Sequence, residues 1–213
     1  LITAQNAKRM LAHNVLAKHT NKIPEAGNIQ LLCTDKTGTL TKGVLQPVHN
    51  ITLDNVEIDN ARQAVKELFF VNVCLNTTAM FDSSGNIVGG NATERALLSM
   101  VNEEAYNKYS NATITNRKSF NSAYKYSAVE VDINGNKVTY YKGAPEKLLA
   151  VSKHYITKDF NTANIDHEAV KNIIANYTTK AMRVIATGYS LSPISDDLPD
   201  DLIITSLVAI RDD

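Results

Sequence analysis

The residues best suited to chemistry lie in one run, Cys33-Thr34-Asp35-Lys36-Thr37-Gly38-Thr39-Leu40-Thr41. An aspartate at the end of a buried strand, followed by a Gly/Thr loop, offers a carboxylate nucleophile beside backbone N–H groups and hydroxyls that can hold a phosphate. Lys36 and Thr37 add donors for phosphoryl oxygens, and Mg²⁺ would offset the repulsion between the two anions. A surface turn closed by an Asp-capped loop carries the same short pattern, so Asp-x-Thr-Gly alone leaves both readings open. The histidines, His13, His19, His49, His154 and His167, show no metal-ligand spacing with cysteine or carboxylate. No GxxxxGK[ST] loop occurs, so the phosphate cradle of P-loop enzymes is absent.

The elements that must position these residues are legible from periodicity. Residues 29–33 are a short apolar run that reads as a buried strand leading into Asp35, with Cys33 as a packing thiol in it. Residues 2–18 carry Met10, Leu11, Val15 and Leu16 at roughly helical spacing. Residues 44–56 read as two short strands with a turn, and residues 61–76 as a helix buried on more than one face. Asn91 and Glu94 have the spacing of a capping box ahead of Ala96, Leu97 and Leu98. Val129, Val131 and Ile133 alternate with polar residues, Asn134-Gly135 follows, and alternation resumes at Val138 and Tyr140, the pattern of a hairpin with a type I′ turn. Residues 145–151 predict a helix with Pro145 in its first turn, residues 166–179 another, and residues 184–186 and 202–210 two strands.

Composition bounds the remaining possibilities. Among 213 residues, 44% are apolar, enough to bury a core, and 22 basic residues balance 22 acidic ones. A polyanion bound by phosphate neutralisation needs an excess of cations, so no nucleic-acid partner is expected. Two cysteines cannot build a disulfide framework. No apolar run reaches the ~18 residues of a membrane helix, and no signal peptide opens the chain. The missing initiator methionine and the abrupt end at Arg211-Asp212-Asp213 predict a piece of a larger protein. The five Asn-x-Thr tripeptides, at Asn50, Asn76, Asn91, Asn111 and Asn176, read as chance in an Asn/Thr-rich chain.

The full string DKTGTLT at residues 35–41 resembles the phosphorylation motif of the P-type cation-transporting ATPases, and further segments follow in that family's order. The segment from Gly90 to Leu98 is similar to the helix that places a glutamate, here Glu94, in the nucleotide pocket. Phe120-Asn121-Ser122-Ala123-Tyr124-Lys125 resembles the adenine-binding segment, and Lys142-Gly143-Ala144 the pocket's lysine motif. Arg183-Val184-Ile185-Ala186 is similar to the strand with a phosphate-contacting arginine, and Asp212 falls where the family has its hinge aspartate. The resemblance favours the calcium and sodium/potassium pump subgroup over the heavy-metal pumps.

The resemblance implies that Asp35 becomes an aspartyl-phosphate at the expense of ATP, with Lys36 and Thr37 beside it and Asp35 and Thr37 toward Mg²⁺. It implies that Phe120 stacks on adenine, Glu94 accepts from the adenine amino group, Lys125, Lys142 and Arg183 contact the nucleotide, and Gly143 lets the backbone approach it. Related phosphatases carry a second aspartate two positions after the nucleophile, where this chain has Thr37, so the acyl-phosphate would persist. The fold class expected is α/β: an antiparallel sheet with flanking helices, the nucleotide-binding domain, inserted into part of a haloacid-dehalogenase-like phosphorylation domain. The expected boundaries are residues 1–43 for the first part of the phosphorylation domain, 44–205 for the nucleotide-binding insert, and 206–213 for the return. Ala92 in place of a common proline, and Lys42-Gly43 after the motif, depart from the family pattern. The later Thr-Gly-Asp and magnesium-binding segments are missing, so this chain is expected to bind ATP without phosphorylating itself efficiently. In a full-length pump the partners would be ATP, the transported cation and the remaining phosphorylation, actuator and membrane domains, at the cytoplasmic face of a membrane. A soluble aspartate-nucleophile phosphatase with a cap domain and a non-catalytic nucleotide-binding module are the alternatives.

Overall fold

A computed structural model describes residues 2–31, 33–34, 39, 43–133 and 135–212. The chain divides into two compact units, Leu1–Leu40 and Thr41–Asp213.

In the first unit, α1 (Ile2–Ala12) is followed by a 3₁₀ turn (Thr20–Lys22) and the single-turn helix α2 (Ile23–Ala26). The helix expected to reach residue 18 stops at Ala12 because Asn14 adopts a left-handed φ of 61°. Val15 N then donates to Met10 O at 2.9 Å and Asn14 N to Leu11 O at 3.0 Å, the pairing of a Schellman stop. The strand expected over residues 29–33 is not formed at the described positions, and Ile29 and Leu31 are 57% and 80% exposed. Cys33, expected to be buried, is exposed. A strand needs a neighbour for its N–H and C=O groups, and no strand is found among the described residues of this unit.

The second unit is built on a sheet in which eight strands are described: β1 (Leu45–Ile51), β4 (Thr113–Lys118), β5 (Tyr126–Ile133), β6 (Asn136–Gly143), β7 (His154–Ile156), β8 (Thr162–Asn164), β9 (Arg183–Ser190) and β10 (Ile203–Asp212). Their order is β4-β5-β6-β9-β10-β7-β8, with β1 also paired to β10. Among the described strands only β10 and β7 run parallel; every other pairing is antiparallel. A small hairpin, β2 (Ala79–Phe81) with β3 (Ile87–Gly89), stands apart from this sheet.

Alternation along the strands sends side chains to two cores. One packs Val129, Val131, Tyr140, Val208 and Ile210 against α3 (Gln63–Leu75), α4 (Ala92–Leu98) and α5 (Glu103–Tyr109). The other packs Ala128, Tyr141, Ala186 and Leu207 against α6 (Pro145–Val151) and α7 (His167–Thr178). The hairpin forms as its pattern predicts, Ile133 facing Asn136 with Gly135 at φ 84°; Asn134 lies outside the described residues. The two strands expected within residues 44–56 are one, because β1 finds its partner in β10, Leu45 opposite Asp212, rather than in its own neighbourhood. Pro47, which lacks a donor, is tolerated at a register shift of this strand. The boundary expected at residues 205/206 falls inside β10, whose Leu207, Val208, Ala209 and Ile210 are all fully buried. Among the described residues no helix is long and apolar enough to cross a membrane.

Candidate functional site

The site is assembled from the bottom by α4. Asn91 caps this helix by accepting from Glu94 N at 2.9 Å, and Glu94 Oε2 accepts in return from Asn91 N at 3.0 Å. The capping box predicted from spacing is present, and it aims the glutamate: Oε2 also takes the Thr78 hydroxyl at 3.0 Å, while Oε1 lies 3.7 Å from Lys142 Nζ. Gly90 makes the turn possible. Its φ is +57°, and a Cβ there would lie 2.8 Å from Ala79 Cβ and 2.9 Å from Glu94 Oε2.

Lys142 is the central observation. It lies on β6 facing the α3/α4 core, 6% exposed, directly between Ser127 of β5 and Thr187 of β9, with Ser206 of β10 opposite Thr187. This is a polar row across four strands in an otherwise apolar face. At one end the hydroxyls satisfy one another: Thr187 Oγ1 lies 2.8 Å from Ser206 Oγ and 2.7 Å from Thr205 Oγ1. At the other end, Lys142 Nζ and Ser127 Oγ are buried without a hydrogen-bond partner among the described residues. Burial pushes the Lys142 ammonium down to about 8; Glu94 works against that shift and the Arg117 guanidinium adds to it. A buried ammonium without acceptors is costly unless a ligand completes it.

The sheet around this row is held from above by α3. Asn72 Nδ2 donates to Tyr141 O at 2.8 Å, and Asn76 Nδ2 to Ser127 O at 3.2 Å and Tyr140 O at 3.3 Å. Two buried asparagines one turn apart thus fasten the helix to the strands that carry Ser127 and Lys142.

Phe120 stands on the 119–125 loop between β4 and β5 and is 55% exposed, so it is not a core residue. This loop meets the Lys142 segment through Lys125, whose carbonyl accepts from Ala144 N at 2.9 Å. Lys125 itself has φ 61°, and its ammonium pairs with Glu146 at 3.2 Å. Gly143, expected to let the backbone approach a ligand, lies against the protein's own backbone in the Cβ direction: a Cβ would lie 2.5 Å from Lys125 O and 2.7 Å from Tyr126 Cα. Arg183, at the head of β9 and exposed, reaches Thr93 on α4, Nη1 to Oγ1 3.4 Å, one residue from Glu94. Asp212 ends β10 opposite Leu45.

Glu94, Lys142 and Arg183 are therefore drawn together around the start of α4, and Phe120 and Lys125 share the loop beside Gly143. Asp35, Lys36 and Thr37 lie outside the described residues. Sequence reasoning missed Ser127, Thr187, Arg117 and the paired asparagines. The available signal was register: Ser127 and Lys142 occupy the core-facing phase of strands whose other residues in that phase are Val129, Val131 and Tyr140. Among the described residues no group of three or more His, Cys, Asp or Glu is placed to hold a metal ion.

The family model described as P-type ATPase, cytoplasmic domain N, matches residues 64–213. The chain belongs to the P-type cation ATPases, as a cytoplasmic fragment. It is 27% identical over its whole length to calcium-transporting ATPase 12, plasma membrane-type, of Arabidopsis thaliana, covering 22% of that protein. It is 29% identical over 89% of its length to calcium-transporting ATPase 7, plasma membrane-type, of Oryza sativa subsp. japonica, covering 20% of it. It is 24% identical over its whole length to calcium-transporting ATPase 1 of Lactococcus lactis, covering 25% of it. The chain thus spans a quarter or less of the length of these relatives.

Proposed function

We propose that the second unit binds ATP for a cation pump and that Asp35 is the carboxylate to which the pump transfers the γ-phosphoryl group. The observation that carries this reading is the Lys142 ammonium, buried with no acceptor among the described residues but Glu94 Oε1 at 3.7 Å. A nucleotide inserted there brings acceptors to Lys142 and Ser127 and an amino group to Glu94. Phe120, exposed on the neighbouring loop, offers a stacking platform worth about 1–3 kcal/mol to a base. Lys125 and Arg183, both reachable from solvent, supply charge to the phosphates. Membership of the P-type ATPase family and the similarity to plasma-membrane calcium pumps support the same assignment.

In the proposed reaction an Asp35 carboxylate oxygen attacks the γ-phosphorus in line, the bond to the bridging oxygen breaks, ADP leaves, and an acyl-phosphate remains on Asp35. Mg²⁺, held by Asp35 and Thr37 with the phosphates, would supply charge neutralisation. Thr37, where a hydrolase would keep a general base, favours a long-lived acyl-phosphate, as a pump that couples hydrolysis to a conformational change requires. The transported cation, the membrane location and the remaining pump domains belong to the full-length protein under this proposal.

Calorimetric titration of the chain with ATP tests the pocket. Lys142→Ala and Phe120→Ala are each expected to weaken binding about tenfold. Unchanged affinity in both variants would remove the assignment.

A further inference from the structure

We infer that Lys118, the last residue of β4, is the positioning residue of the Phe120 loop and thereby sets the affinity of the site for a purine nucleotide; the inference rests on the nucleobase reading of Phe120. Lys118 faces away from Lys142, into the α6/α7 side of the sheet, opposite Ala128. Its ammonium has three donors, and three acceptors are in place: Tyr126 Oη at 2.8 Å, Ser195 O at 3.0 Å and Asp196 O at 2.7 Å. The same charge stands 5.0 Å from the ring centroids of both Tyr124 and Tyr126.

Those contacts converge on the base of the 119–125 loop. Tyr124, held under the ammonium, donates its hydroxyl back to Ser119 O, closing the loop beside Phe120. Asn121 ties the interior, accepting from Ala123 N on its side chain at 2.8 Å and from Lys125 N on its carbonyl at 2.7 Å. The far end is fixed by the left-handed φ of Lys125 and by Gly143 packed against the Lys125 carbonyl. A loop pinned at both ends holds out a half-exposed phenyl ring that no core covers. Rigid presentation of an aromatic surface lowers the ordering cost of binding, which is what a stacking platform requires. The ammonium at one end of this clamp comes from Lys118, and it also links the loop to the 192–198 segment.

A double-mutant cycle on the 213-residue chain, read by ATP titration well below each variant's melting midpoint, tests this. Lys118→Met, which keeps the alkyl stem and removes the donors, is expected to weaken ATP binding about three- to tenfold. Lys118→Arg, which keeps the positive charge, the donors and the cation–π contact, is expected to restore affinity to within about twofold. In a Phe120→Ala background, Lys118→Met is expected to change affinity by less than about twofold, because the residue through which Lys118 acts is gone. Tyr124→Phe removes the loop-closing hydroxyl and is expected to show the same coupling, and it serves if Lys118→Met fails to fold. Additive losses, or no loss in the single variant, would overturn the role of Lys118 while leaving the pocket standing. No effect of Phe120→Ala alone would sink the nucleobase reading and this inference with it.

Discussion

Two lysines on the same sheet show how one side chain can serve opposite ends. Lys142 points into the α3/α4 core, finds no hydrogen-bond acceptor among the described residues, only Glu94 Oε1 at 3.7 Å, and has its ammonium pushed down to about 8 by burial. Lys118 points to the other face, where three oxygens and two tyrosine rings surround it. A satisfied cation stabilises the fold locally, whereas a buried unsatisfied one destabilises it and is retained where a ligand completes it. The contrast teaches where to look for function: in the polar group the fold leaves incomplete.

The comparison is sharpest in stability. Lys142→Met, which removes a buried charge and keeps the volume, is expected to stabilise the chain by up to about 3 kcal/mol at neutral pH while weakening ATP binding at least about tenfold. Chemical denaturation and calorimetry on the same variant read both signs; a destabilised variant would mean that the lysine is satisfied after all. Gly143→Ala is expected to destabilise by about 1–3 kcal/mol, because the new methyl would come within 2.5 Å of the Lys125 carbonyl oxygen and meet no ligand. Loss of ATP affinity with unchanged stability would return Gly143 to the ligand side. Lys118→Met is expected to destabilise by about 1 kcal/mol, opposite in sign to Lys142→Met.

The smallest expected effect is on pH. The folded value of Lys142, about 8, lies below the ordinary 10.5, so between those values the unfolded chain holds more protons. Stability therefore rises with pH across that window, and the destabilisation by the buried charge is fully present below about pH 8. ATP binding favours the charged form, so affinity falls several-fold above about pH 8, with proton uptake on binding; the charges that bear on this group are Glu94, which favours the ammonium, and Arg117, which disfavours it. Titrations at about pH 7 and about pH 9 in buffers of different ionisation enthalpy measure it, and a flat profile would contradict the shift.

Much of the second unit was legible in advance because its signals are local. The Asn91/Glu94 capping box, the hairpin turning at Gly135, and α6 opening on Pro145 each depend on residues within a few positions of one another. The first unit reads less well. Residues 29–33 have the composition of a buried strand, yet Ile29 and Leu31 are exposed, since an apolar run becomes a strand only when another strand receives its backbone. The site divided in the same way: motif strings marked Glu94, Phe120, Lys142 and Arg183, whereas Ser127 and Lys118 carry no motif and are visible only through what surrounds them.

The amino-acid order alone determined the Asn91/Glu94 capping box, the hairpin turning at Gly135, the helix opening on Pro145 and the family to which the chain belongs, because dihedral preferences and side-chain periodicity act over a turn or a hairpin. Tertiary structure decided that β1 pairs with β10 across the length of the unit, that Gly143 makes room for backbone, and that one lysine meets three oxygen acceptors while the other, among the described residues, has only Glu94 Oε1 at 3.7 Å. Those outcomes depend on which distant strands and loops converge, and burial, not residue type, sets the free energy of a charge.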